Sequence, residues 1–164
     1  MEKGERSTPA MTHQDYMRQA LALAQEAAAA GEVPVGCVIV DKDGQVIGRG
    51  RNRREEEKNP LAHAELDAIA DACRRYGDWR LKGARLYVTL EPCPMCAGGI
   101  ISARIPEIYY GAKDAGFGAC GSILNLFEED FRHHPKIVGH ILEAECAALL
   151  RDFFAQVREK EMQT

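Results

Sequence analysis

Four residues in two short stretches have the types and spacing to do chemistry. Ala62-His63-Ala64-Glu65 supplies an imidazole and a carboxylate. Glu91-Pro92-Cys93-Pro94-Met95-Cys96 supplies two thiols three residues apart. Taken singly, each stretch has an ordinary explanation. A lone histidine at a helix start is commonly structural, and a Cys-x-x-Cys can be a redox pair or half of a zinc knuckle. A redox pair usually follows the first strand of a thioredoxin-like unit, and nothing upstream has that form. A closed structural zinc site takes four protein ligands, and no second Cys-x-x-Cys supplies the other two.

Taken together, the stretches describe an open metal site. His63, Cys93 and Cys96 give three ligands and leave one tetrahedral position for water, the arrangement of catalytic zinc. Mixed nitrogen and sulfur donors suit Zn²⁺ better than Mg²⁺ or Ca²⁺. On a helix, Cys93 and Cys96 face the same way. Near a helix N-terminus the dipole favours the thiolate, the form that binds metal. Glu65 lies two residues after His63, about 200° away on an ideal helix. Both reach one metal only from the first turn, with the metal beyond the helix end. A carboxylate placed there, beside the metal but not bound to it, takes a proton from water and returns it to a leaving group.

These groups need elements to hold them. Thr12 to Ala30 has apolar residues at Met17, Ala20, Leu21, Ala24 and Ala28, a helical stripe, with Thr12 and Asp15 as a shortened capping box. Pro34 to Val40 and Gln45 to Gly50 form a hairpin around Asp41-Lys42-Asp43-Gly44. Arg51 to Pro60 reads as a charged loop and Leu61 to Tyr76 as a helix. Ala84 to Leu90 reads as a strand that delivers the cysteines to the end of a sheet, where α/β folds place their sites. Pro94 to Ala103 follows as a short helix with proline in its first turn. Ile105 to Gly111 is a strand, Asp114 to Ser122 a loop of small residues, and Leu142 to Glu159 a strongly amphipathic last helix. Strands alternating with helices imply an α/β sheet covered on both faces.

With 164 residues, the chain suits one domain, residues 12–164, large enough to bury a core without disulfides. Hydrophobic residues make up 46 % and charged residues 28 %, which excludes wholesale disorder. No apolar run approaches the roughly 20 residues of a membrane helix, so no membrane partner is expected. Met1 to Ala10 is polar, without the apolar core of a secretory signal. Residues 1–11 read as a mobile arm on a cytoplasmic protein. Of six cysteines, Cys37 and Cys146 lie in apolar stretches and read as buried thiols. The net charge of −4 is unlike that of a protein coating nucleic acid, so any such partner must meet local basic clusters. Arg51, Arg53 and Arg54 form one; Arg74, Arg75, Arg80 and Lys82 a second; Arg132, His133, His134 and Lys136 a third.

His-x-Glu followed by Pro-Cys-x-x-Cys is the signature of zinc-dependent nucleobase deaminases, and His63-Ala64-Glu65 with Pro92 to Cys96 resembles it without departure. The likeness spans residues 12 to 156. Glu32 to Gly36, Asn52, Thr89-Leu90-Glu91, Gly111 to Asp114, Gly118 to Ser122 and the tail Cys146 to Leu150 with Phe153-Phe154 resemble the bacterial tRNA-specific adenosine deaminases. That resemblance implies a three-layer α/β/α cytidine deaminase-like fold with a mixed sheet. It implies one Zn²⁺ per subunit and a homodimer acting on a tRNA anticodon stem-loop, converting wobble adenosine to inosine. Glu65 is then the proton carrier, and His63, Cys93 and Cys96 the metal ligands. Asn52, Ala64, Pro92, Asp114, His133, Phe153 and Phe154 are the implied substrate contacts.

Two places depart from that family, one of three residues and one of a single residue. Ala115-Gly116-Phe117 follows Asp114 where the family often has proline and a basic or small polar residue, and Arg132 replaces a common asparagine. Phe117 either stacks on a base or packs. A deaminase of free guanine, cytosine or a nucleoside would share the four chemical residues without an RNA surface. A noncatalytic zinc- or RNA-binding module would share the ligands but has little use for Glu65.

Overall fold

A computed structural model describes residues 10–163. Most of the expected N-terminal arm, residues 1–9, lies outside the described residues. The first helix, α1 (His13–Ala29), has the cap its sequence predicts. Thr12 Oγ1 accepts the Asp15 N–H at 3.1 Å, and Asp15 Oδ2 accepts the Thr12 N–H at 2.9 Å. Its buried face is Tyr16, Met17, Ala20, Ala24 and Ala27.

Strand β1 (Gly36–Val40) is buried along its whole length, and β2 (Val46–Arg51) pairs with it at the sheet edge. The helix α3 (Ala64–Tyr76) lies directly on β2. Gly48 and Gly50 permit this, because a side chain at either would run into the backbone of Ala68 or Ala64. Strand β3 (Arg85–Leu90), helix α4 (Pro94–Ala103) and strand β4 (Glu107–Ala112) form a parallel crossover. A short strand β5 (Lys136–Val138) and the last helix α5 (Glu143–Met162) complete the chain. The sheet order is β2-β1-β3-β4-β5; β1 is antiparallel to both neighbours, and β3, β4 and β5 are parallel.

Side chains alternate across this mixed sheet and so feed two cores. Cys37, Ile39, Leu86 and Val88 face α3 and α4, while Val38, Val40 and Tyr87 face α1 and α5. The architecture is the expected three-layer α/β/α. Cys37 and Cys146 are buried thiols, and burial pushes Cys146 up to about 12. Among the described residues, no helix is long and apolar enough to cross a membrane.

Four local expectations change. The charged loop from Arg51 contains a one-turn helix, α2 (Arg54–Glu57). The buried Glu32 carboxylate makes it, accepting the N–H of Glu55 at 2.7 Å and of Glu56 at 3.2 Å. The next helix begins at Ala64 rather than Leu61, because His63 is its extended N-cap. β5 and a 3-10 turn at Leu126–Glu128 lack a sequence pattern strong enough to announce them. α5 is less amphipathic than its sequence suggested: only Cys146 is buried.

Candidate active site

Two helix N-termini meet at the carboxyl end of β3. His63 is the N-cap of α3, with φ −86° and ψ 153°. Cys93 is the N-cap of α4, with φ −76° and ψ 171°, and Pro94 opens that helix. Neither residue has a helical backbone, so neither side chain follows the 100° spacing of its helix. This resolves the 200° conflict between His63 and Glu65: the rotation counts only from Ala64 onward.

His63 Nδ1 lies 3.7 Å from Cys93 Sγ and 3.5 Å from Cys96 Sγ. The three ligand atoms all lie within 4.8 Å of one another. Tetrahedral zinc with ordinary Zn–N and Zn–S bonds separates its N and S ligands by about 3.6 Å, so these residues fit the ion. The donor chemistry agrees. The Cys96 thiol donates to Cys93, which, against burial and with help from His63, lowers the Cys93 thiol to about 4. The same bond, burial and Glu65 push Cys96 up. A divalent cation removes that penalty and takes both sulfurs as thiolates.

Glu65 is buried at 4 % exposure in the first turn of α3. Burial raises its carboxyl to about 7, reinforced by the charge of Cys93 and opposed by its own backbone N–H and His63. A carboxyl poised near neutrality both accepts and donates a proton.

His63, Glu65 and Cys93 line a cavity of about 610 Å³. Asn52, Ala64, Asp114 and Phe154, all named from the sequence, line it. The Asn52 amide is fixed, donating to the Val33 carbonyl at 3.3 Å and accepting the Arg54 N–H at 3.2 Å. One amide hydrogen and one lone pair remain for a ligand. Phe153 lines a smaller adjoining cavity with Phe154, and their rings meet edge to face at 5.5 Å. Pro92 is buried beside the cavity, its carbonyl accepting the Ala119 N–H at 2.8 Å. His133 lies elsewhere, its Nε2 2.7 Å from the carbonyl oxygen of Ile105, at the far end of β4.

Sequence reasoning missed the role of Glu91. Its buried carboxylate accepts the N–H groups of Asp114 at 3.2 Å, Cys120 at 2.9 Å and Ser122 at 3.1 Å, and the Ser122 hydroxyl. Burial pushes its pKa up, but those donors, Ser122 first, outweigh it and hold the carboxyl below its ordinary value. The loop 113–122 is thereby tied to the end of β3. A glutamate just before Pro-Cys was the available signal; its partners, 23 to 31 residues away, were not.

The basic clusters divide. Arg51 pairs with Glu56 at 3.1 Å, and Arg53 with Glu56 at 3.2 Å and Asp67 at 3.3 Å. Arg74 and Arg75 pair with Asp71, and Arg80 with Asp78. His134 Nδ1 lies 2.9 Å from the Phe127 carbonyl oxygen. Arg54 and Lys113 line the cavity, and neither has an ion-pair partner among the described residues.

Residues 10–112 match the cytidine and deoxycytidylate deaminase zinc-binding region. The chain belongs to this family. The deaminase is 45 % identical over 147 residues to a tRNA-specific adenosine deaminase of Bacillus subtilis (strain 168), covering 89 % of this chain and 91 % of the relative. It is 43 % identical over 147 residues to a protein of the same name from Streptococcus pyogenes (strain MGAS8232), covering 89 % and 92 %. A solved structure from work on A-to-I editing by tRNA:A34 deaminases at the wobble position matches with TM-score 0.79 and 46 % identity, over 82 % of this chain and 98 % of that one. A guanine deaminase from Bacillus subtilis matches with TM-score 0.61 and 40 % identity, over 66 % and 72 %. The family and fold that the motifs implied therefore hold. Held by His63, Cys93 and Cys96, zinc would supply the Lewis acidity that makes water nucleophilic at neutral pH.

Proposed function

We propose that this deaminase converts adenosine to inosine at the wobble position of a tRNA anticodon, releasing ammonia. His63, Cys93 and Cys96 hold one Zn²⁺ per subunit. Glu65 removes a proton from the attacking water and delivers it to the leaving amine. Asn52 fixes the ribonucleoside with its free amide valences, and Ala64 and Asp114 bound the same cavity. Residues 12–164 act as one cytoplasmic domain.

The cavity mouth carries the substrate assignment. Its lining includes two cations without ion partners among the described residues, Arg54 and Lys113, and two exposed rings, Phe117 and Phe154. A free base needs only the residues around His63 and Glu65. A single-stranded anticodon loop uses cations for its phosphates and rings for its bases. The names of the relatives at 45 % and 43 % identity support the same substrate. Exposed Ile123, Leu124 and Phe131 support a homodimer, which buries such apolar side chains.

The test incubates the protein with a tRNA carrying adenosine at the wobble position and measures inosine by nucleoside mass spectrometry. Free guanine, cytosine and adenosine run in parallel. Inosine at that position is the expected result. Ammonia from a free base, with no inosine in the tRNA, would move the protein to the small-molecule deaminases.

A further inference from the structure

We propose that Phe117 is a stacking platform for the unpaired base next to the target adenosine. This rests on the tRNA reading and adds to it the residue that receives the flanking nucleotide.

Phe117 is 69 % exposed, the most exposed aromatic side chain among the described residues, and it lines the mouth of the catalytic cavity. A phenyl ring left in water does little for the fold, so packing does not account for it.

The ring is nonetheless held on a fixed support. Asp114 Oδ1 accepts the N–H of Gly116 at 3.0 Å and of Phe117 at 3.1 Å. The Asp114 carbonyl accepts the Gly118 N–H at 2.9 Å. Asp114 itself is tied through its N–H to Glu91, whose other oxygen accepts the N–H groups of Cys120 and Ser122. A side chain at Gly118 would collide with that carboxylate. The backbone that carries Phe117 is therefore ordered before any ligand arrives, which lowers the entropy cost of stacking.

Position selects the partner. The target base must reach His63 and Glu65, so a ring at the mouth meets the neighbouring nucleotide. Lys113 stands on the same loop without an ion partner among the described residues. An aromatic face beside a free cation is the arrangement that holds single-stranded nucleic acid through one base and one phosphate.

The experiment uses the full chain and an anticodon stem-loop with adenosine at the wobble position. Two further RNAs each lack one base flanking that adenosine. Inosine formation is followed in single turnovers across enzyme concentration. On the intact RNA, F117A raises the half-saturating concentration about 5- to 150-fold, the span of base–aromatic stacking. Its saturating rate, zinc content and melting temperature match wild type, and F117W restores binding. On one of the abasic RNAs wild type shows the same loss and F117A adds none, because ring and base form one contact. An F117A protein that binds the intact RNA as tightly as wild type overturns the proposal. So does an equal F117A penalty on both abasic RNAs. So does a change in self-association by sedimentation, which assigns the ring to a second copy of the chain. If wild type forms no inosine on any RNA, the tRNA reading itself fails, and this proposal with it.

Discussion

The carboxylate of Glu91 fills the space where a side chain on Gly118 would stand. A methyl group there would strike the carboxylate and lie 2.6 Å from the Asp114 carbonyl oxygen. Gly118→Ala therefore forces apart the hydrogen bonds that tie the loop 113–122 to β3. Overpacking of this kind costs about 1–3 kcal/mol, a fall in Tm of about 2–12 °C for a chain of this size. Scanning calorimetry with metal analysis checks it: Tm drops and KM for RNA rises, while zinc content stays. An unchanged Tm would show that the loop yields freely.

Variants at Glu65 and His63 should separate chemistry from metal binding. Glu65→Ala is expected to keep zinc and lose about 10²- to 10⁴-fold in turnover, the span of general acid–base catalysis. His63→Ala and Cys93→Ala are expected to lose metal and activity together, because three anchors hold catalytic zinc. Metal analysis beside the inosine assay distinguishes the two classes. Zinc missing from Glu65→Ala would make that residue a ligand instead.

Arg54 and Lys113 line the cavity without an ion-pair partner among the described residues, and on the proposed reading they meet phosphate. Removing either should weaken RNA binding across sequences and flatten the plot of log affinity against log salt by about 0.7, one single-strand phosphate contact. Arg75→Ala, whose guanidinium is engaged by Asp71 at 3.2 Å, should leave the slope unchanged. Filter binding at several salt concentrations reads both. Equal slopes for all three variants would remove Arg54 and Lys113 from the RNA surface.

His13 gives the fold a pH dependence far from the metal. Its Nδ1 lies 2.7 Å from the Tyr87 hydroxyl, and its ring stacks on Tyr109 with centroids 4.2 Å apart. Burial, then Arg85, lowers its pKa below 6.5; Glu107 opposes and Lys136 assists. The unfolded chain thus takes up a proton that the folded one refuses as pH falls below 6.5. The contribution of neutral His13 is full above that pH and is lost as pH falls toward the lowered value. Melting curves from neutral to mildly acidic pH should show His13→Phe losing less stability on acidification than wild type. Parallel curves would mean that the imidazole titrates normally.

Part of this site was written in local spacing. The capping box at Thr12 and Asp15 acts over three residues, a distance that helix geometry fixes without reference to the rest of the chain, and Cys93 and Cys96 are as close in sequence, one at the N-cap of α4 and the other in its first turn. The order of strands and helices likewise implied a sheet covered on both faces. The ligand set His63, Cys93 and Cys96 needed only the count and chemistry of the donors.

Other features depended on partners far along the chain. Glu32 and Glu91 stand in stretches that resemble the family, but nothing in their local spacing gives them a role. They are buried because each meets free backbone N–H groups, of residues 55 and 56 for Glu32 and of residues 114, 120 and 122 for Glu91. His133 and Arg53 carry the same chemistry as residues on the cavity, but a carbonyl and two carboxylates engage them elsewhere. The sequence by itself determined which residues could hold a metal and which carboxylate stands near them, since residue chemistry and short spacing suffice for that. Only the tertiary structure decided which acids hold the loops and which cations and rings are left at the mouth, since a charged or aromatic side chain is free or engaged according to what packs beside it.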